Sequence, residues 1–227
     1  MSTNTPFVFD GSKAILRYQE DFSNTSVTTD KGRMVQRSQY IEKKFGLVIF
    51  LDALGIKGIW ARVYPKQVLE RWGKTYYIFS DALDKMPGLE LSVFSDTLII
   101  SSAVNTNLRN NPRRFVELIA SLLVSPFVNS IYYRIFLRGV ISVGEFYRSS
   151  RMLIGPAVDE AVQYFDLSNW IGLSISPITS KILDDYGMEN SRHLVKYRIP
   201  YKGFVKTYWV LDSVKHEIRK DSEQNSK

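Results

Sequence analysis

Two aspartates, Asp52 and Asp96, each interrupt an otherwise apolar stretch of the chain, and their setting is the first sign of chemistry. Asp52 lies near the end of FGLVIFLDALG, and Asp96 lies at the centre of LELSVFSDTLIISS. Carboxylates in such ground are partly stripped of water. If the fold brings two of them to about 4 Å, they repel by ~4 kcal/mol at an effective dielectric of 20. One must then hold a proton, or a cation must lie between them. A hard divalent ion with oxygen ligands is the natural resolution. The competing reading of an isolated pair is that one aspartate caps a turn while the other faces solvent. After Asp52 comes ALGIKG, a glycine-containing turn. Its backbone N–H groups can cradle phosphate oxygens, with Lys57 close by. It is not a Walker P-loop, because no GKS or GKT is present.

The elements that must position these residues follow from periodicity. FGLVIFLDALG reads as a buried strand. Val68, Leu69, Trp72, Tyr76, Phe79 and Leu83 recur at three- and four-residue steps, predicting a helix over 66–86 just after Pro65. LELSVFSDTLIISS reads as two strands joined at Ser95–Asp96, or as one long bent strand. A second helix is expected over 112–135, then a strand in LRGVISVGEFY. IGPAVDEAVQYF reads as a short helix with Ile154, Val158, Ala161, Val162 and Phe165 on one side and Asp159 and Gln163 on the other. GLSISP reads as a strand, SKILDDYG as a helix stopped by Gly187, and LVKYRIPYKGFVKTYWVL as a hairpin around Lys202–Gly203. Crossovers mixed with hairpins predict an α+β fold with one mixed, mostly antiparallel sheet flanked by helices. Residues 1–44 read as a polar N-terminal extension, 45–212 as the folded domain that carries both aspartates and 213–227 as a basic, frayed tail.

Composition narrows the function classes. The chain has 227 residues and no cysteine, which excludes a disulfide scaffold, a thiolate metal site and a cysteine nucleophile. Only His193 and His216 are available, which argues against an all-histidine metal site. The net charge of +7 suits a polyanionic partner such as a nucleoside triphosphate, nucleic acid or an anionic membrane. The basic residues near the ends read as solvated surface. The N-terminus lacks the pattern of a signal peptide, and no run approaches ~18 consecutive apolar residues. The expected location is the cytoplasm, with no membrane partner.

VIFLDALGIK followed by VFSDTLII resembles the two metal-aspartate motifs of class III adenylyl and guanylyl cyclases, with a separation of 44 residues that is typical of that family. RGVISVGEFY resembles its central strand, IGPAVDEAVQ its following helix and YKGFVKTYWVL its last hairpin. The resemblance runs from about Phe45 to Leu211. It implies a ferredoxin-like catalytic domain, a head-to-tail homodimer and active sites at the subunit interface. Two divalent ions, Mn2+ or Mg2+, would be held by Asp52, Asp96 and the backbone carbonyl of Ala53. Leu54, Gly55, Ile56 and Lys57 would hold the triphosphate, with Phe50 near the nucleotide. The partner would supply Lys202 to the phosphates and residues around Asp159 to the substrate.

Departures from the family pattern shape the expected substrate. The purine-reading positions correspond to Ser92 and Met152, which lack the hydrogen-bonding groups expected there. A site built to hydrogen-bond one base rejects others because its own groups are left unpaired. The family's helix Asn is replaced by Asp159 and its transition-state Arg by Gln163, with Arg138, Arg148 or Arg151 as possible substitutes. Arg138 reads equally as a nucleotide contact or as a structural salt bridge. FLDALG, FSDTLIIS, RGVISVGEFY and IGPAVDEA together resemble the stand-alone pyrimidine cyclases of bacterial anti-phage defence. That resemblance implies cyclic UMP or cyclic CMP as product, sensed by a separate effector protein, with no DNA required. The alternatives are a purine cyclase, a catalytically inactive nucleotide-binding domain, a palm-type polymerase and a basic nucleic-acid-binding domain.

Overall fold

The computed structural model describes residues 41–56, 65–103, 111–149, 152–188 and 191–213. The elements, in chain order, are β1 (Glu42–Leu54), α1 (Pro65–Leu83), β2 (Leu89–Phe94), β3 (Thr97–Ala103), α2 (Pro112–Tyr132), β4 (Phe136–Ser149) and β5 (Met152–Ile154). They continue with α3 (Pro156–Leu167), β6 (Gly172–Ile175), α4 (Pro177–Asp185), β7 (Leu194–Tyr201) and β8 (Phe204–Leu211). This is the order that the apolar periodicity predicts, with the short β5 as the addition.

The strands form one sheet in the order β2-β3-β1-β4-β6-β8-β7, with β5 paired to β4 outside that path. β4 and β6 run parallel, and the other pairs are antiparallel. The central β1 is apolar on both faces because both are covered. Leu47, Ile49, Leu51 and Ala53 pack into a large core with Phe79 and Leu83 of α1, Phe115 and Ile119 of α2, and Leu183 of α4. Val48 and Phe50 point the other way, against Ala157, Val158 and Ala161 of α3. Each large aliphatic or aromatic side chain so buried contributes about 1.5–3 kcal/mol.

Helix ends follow their local chemistry. Asn111 caps α2, its side chain accepting from the N–H of Arg114 at 3.0 Å, with Pro112 opening the helix. Gly187, at φ +67°, takes the left-handed conformation just beyond α4. Among the described residues, α2 alone is long and apolar enough to cross a membrane by length and composition, although 56% of the relevant window is buried. Its charged residues, Arg113, Arg114 and Glu117, lie at its start, and its buried face lies in the main core.

Candidate active site

The end of β1 and the tip of the β2–β3 hairpin meet at the two aspartates. Thr97, the first residue of β3, lies directly across from Asp52 in the β1–β3 ladder. The turn Ser95–Asp96 before it has Ser95 at φ 58°. The N–H of Ala53 donates to the carbonyl of Asp96 at 3.0 Å, so the backbones of both motifs are joined. Beyond Ala53 the chain leaves the strand through Leu54 and Gly55, and the φ of +79° at Gly55 favours glycine. Ile56 is buried and anchors the far side of that turn.

The other flank of Asp52 is β4, where Arg138 lies directly opposite it. Arg138 donates from Nε to Asp52 Oδ2 at 3.2 Å, and its Nη2 forms an ion pair with the same oxygen at 3.2 Å. Its Nη1 donates to the carbonyl of Ser168 at 3.0 Å, and its guanidinium lies 5.1 Å from the centre of the Phe165 ring. Phe165 in turn stacks on Phe50 at 6.2 Å. The second oxygen of Asp52, Oδ1, accepts from Thr97 Oγ1 at 3.2 Å. Burial, and then the like charge of Asp96, push the Asp52 carboxyl above its ordinary value; Arg138 and Thr97 pull the other way without cancelling the rise.

This donor set fits a hard divalent ion. It offers two carboxylates and the neighbouring Ala53 backbone, all oxygen donors, and one carboxylate is held in unfavourable like-charge proximity to the other. Among the described residues no group of three or more acidic or histidine side chains assembles. Magnesium characteristically takes only one or two carboxylates and completes its shell with water and substrate phosphates.

The remaining predicted residues lie around this centre. Phe50 is buried beneath Phe165. Asp159 is exposed in the first turn of α3, Ser92 is exposed on β2, and Met152 is half-buried on β5. Lys202 is exposed in the β7–β8 turn, where its Nζ lies 3.3 Å from Asp166 Oδ1 and its N–H donates to the carbonyl of Leu167 at 2.9 Å. Within one chain it is bonded to neither Asp52 nor Asp96. Lys57 lies outside the described residues, as does Arg151. Arg148 is engaged by Glu90 and Ser101. Sequence reasoning did not assign Thr97, the Ser168 carbonyl or the Phe165 ring to the site. Thr97 was accessible from its place beside Asp96 in a hairpin, whereas the Ser168 contact depends on how α3 ends.

Solved structures share this architecture. The adenylyl cyclase CyaB from P. aeruginosa matches with a TM-score of 0.55 at 16% identity, covering 77% of this chain and 97% of that one. The monomeric guanylyl cyclase domain of the RhoGC fusion protein from the aquatic fungus Blastocladiella emersonii matches with a TM-score of 0.56 at 16% identity, covering 75% and 97%. The guanylyl cyclase Cya2 matches at 0.52 and 14% identity, covering 75% and 92%. The fold is that of a class III nucleotidyl cyclase catalytic domain. No protein-family model and no curated protein matches the sequence. In this cyclase fold the two aspartates lie at one end of the central strand pair, and the β7–β8 turn carrying Lys202 belongs to the far edge of the sheet.

Proposed function

We propose that this protein is a metal-dependent nucleotide cyclase that converts UTP, or CTP, to the 3′,5′-cyclic monophosphate and pyrophosphate. The observation that carries the reading is the junction of Asp52 and Asp96 through the Ala53–Asp96 backbone bond, in a fold otherwise seen in cyclase domains. Two divalent ions, Mn2+ or Mg2+, would be held by the Asp52 and Asp96 carboxylates and the Ala53 carbonyl. When bound they would acidify the ribose 3′-hydroxyl and neutralise charge on the departing pyrophosphate.

The chain's own residues do the rest. The Leu54–Lys57 turn receives the triphosphate, and Gly55 presents no side chain there. The 3′-oxygen attacks the α-phosphorus in line while the bond to the bridging oxygen of the pyrophosphate breaks. The hydroxyl proton passes to Asp52 or to solvent.

A second copy of the chain completes the site in this reading, placing its Lys202 on the phosphates and its Asp159 beside the substrate. The sheet face that carries α3 supports such a dimer: away from the helix it exposes Phe94 (76%), Tyr197 (52%) and Phe204 (40%). The absence of purine-reading groups at Ser92 and Met152 favours a pyrimidine. The cyclic product would act in the cytoplasm as a second messenger of antiviral defence, sensed by a separate effector protein, with no DNA or membrane required.

The test is incubation with each of the four ribonucleoside triphosphates and manganese, with products identified by mass. Cyclic UMP or cyclic CMP supports the proposal. Cyclic AMP or cyclic GMP makes the protein a purine cyclase, and no product from any of them makes it a binding module.

A further inference from the structure

Arg138 is engaged by the chain itself beside the two aspartates. Its Nε donates to Asp52 Oδ2, its Nη2 lies within ion-pair distance of the same oxygen, and its Nη1 is tied to the Ser168 carbonyl. The Phe165 ring supports it from the side. Both partners of the ion pair are largely shielded from water, with side-chain exposures of 18% for Arg138 and 15% for Asp52. A planar guanidinium fixed at three points is pre-organised for its carboxylate and loses little entropy in holding it. The register brings the two residues together, because Arg138 and Asp52 face each other across the β1–β4 ladder.

We infer that Arg138 is the resident cation of Asp52, a positioning residue that occupies Oδ2 before metal arrives and must yield it when a divalent ion binds. The inference rests on the metal reading of Asp52 and Asp96 given above. Without a cation, two neighbouring carboxylates in half-buried ground would repel each other and destabilise the strand end. Arg138 offsets part of that cost in the metal-free protein. The same contact competes with an incoming ion for the same oxygen. Metal binding without nucleotide is therefore weak, and the triphosphate, which brings negative charge and further ligands, shifts the competition toward metal.

The competition has a direct readout in Mn2+ binding to the full chain without nucleotide, measured by the loss of the free-ion paramagnetic resonance signal. Arg138→Gln is expected to bind Mn2+ about tenfold more tightly than the wild type, because a fixed positive charge beside the ion is gone. Its metal-free melting temperature should fall, and Mn2+ should raise it by more than it raises that of the wild type. If Arg138→Gln fails to fold, Phe165→Leu loosens the guanidinium while leaving every charge in place, and should tighten Mn2+ about two- to fivefold. Equal or weaker Mn2+ binding in the folded variant overturns the inference. Asp52→Asn separates the two levels: it should lose Mn2+ binding. If it binds as the wild type does, the metal reading fails and the inference fails with it. If it loses binding while Arg138→Gln gains none, the inference alone falls.

Discussion

The N–H of Ala53 donates to the carbonyl of Asp96 at 3.0 Å, which fixes the tip of the β2–β3 hairpin against the end of β1. The separation of the two aspartates is thus set by main-chain bonding rather than by flexible side chains. Thr97, one residue on, holds Asp52 Oδ1 from the same hairpin. Substitutions at either aspartate should therefore leave the backbone of the site in place.

The Asp52 carboxyl has a stability consequence with a definite sign. Its folded-state value lies above the ordinary 3.8 because of burial and the Asp96 charge. The native state then binds the proton more tightly than the unfolded chain does, so the Asp52 contribution is fully present below that ordinary value and is lost as pH rises through the folded-state value. In metal-free protein, Asp52→Asn should gain melting temperature relative to the wild type as pH rises from about 4 toward 7. Saturating Mn2+ should narrow the difference by stabilising only the wild type. Thermal scans across this range, with and without chelator, provide the check.

Glu160 is buried on α3, accepting from Ser142 Oγ at 2.7 Å and from the N–H of Ile178 at 2.9 Å. It ties α3 to β4 and to the start of α4. Glu160→Ala strands both donors and should cost about 1–3 kcal/mol for each group left unsatisfied. Urea denaturation should show the loss as a lower midpoint, with Glu160→Gln falling between the two.

Gly139 follows Arg138 and lies under β1. A Cβ there would sit 2.4 Å from the carbonyl oxygen of Phe50 and 2.6 Å from Leu51 Cδ2. The backbone contact cannot be relieved by a rotamer change, so Gly139→Ala should destabilise by about 1–3 kcal/mol and push β1 away from Arg138. Calorimetry reads the first effect, and tighter Mn2+ binding per folded molecule reads the second, because the Arg138 contact with Asp52 is loosened.

Lys202 separates stability from function. It is exposed, and its contact with Asp166 is a surface pair. Lys202→Ala should change stability by no more than about 0.5 kcal/mol. If the partner's triphosphate meets this side chain, turnover should fall about 10²-fold. Paired melting and turnover measurements distinguish this from a role confined to the hairpin.

Much of this organisation was legible from residue patterns. FGLVIFLDALG is too short for a helix and too apolar for an exposed strand, and it forms the covered β1. The hairpin break at Ser95–Asp96 is visible because two apolar runs meet at polar residues. A salt bridge at Arg138 was one of two open readings, but its partner Asp52 was not legible, since that pairing depends on the β1–β4 register, which no local pattern specifies. The Glu160–Ser142 bond and the engagement of Arg148 by Glu90 were missed for the same reason: each links strands or helices distant in sequence. The three-residue β5 has too little periodicity to show.

The most direct measurement is manganese-dependent formation of cyclic nucleotide and pyrophosphate from UTP and CTP by the wild type, Asp52→Asn and Asp96→Asn, each with its folded content checked by circular dichroism. The wild type should release the two products in equal amounts, and each variant should fall at least about 10²-fold while remaining folded. Undiminished turnover in both variants would contradict the account.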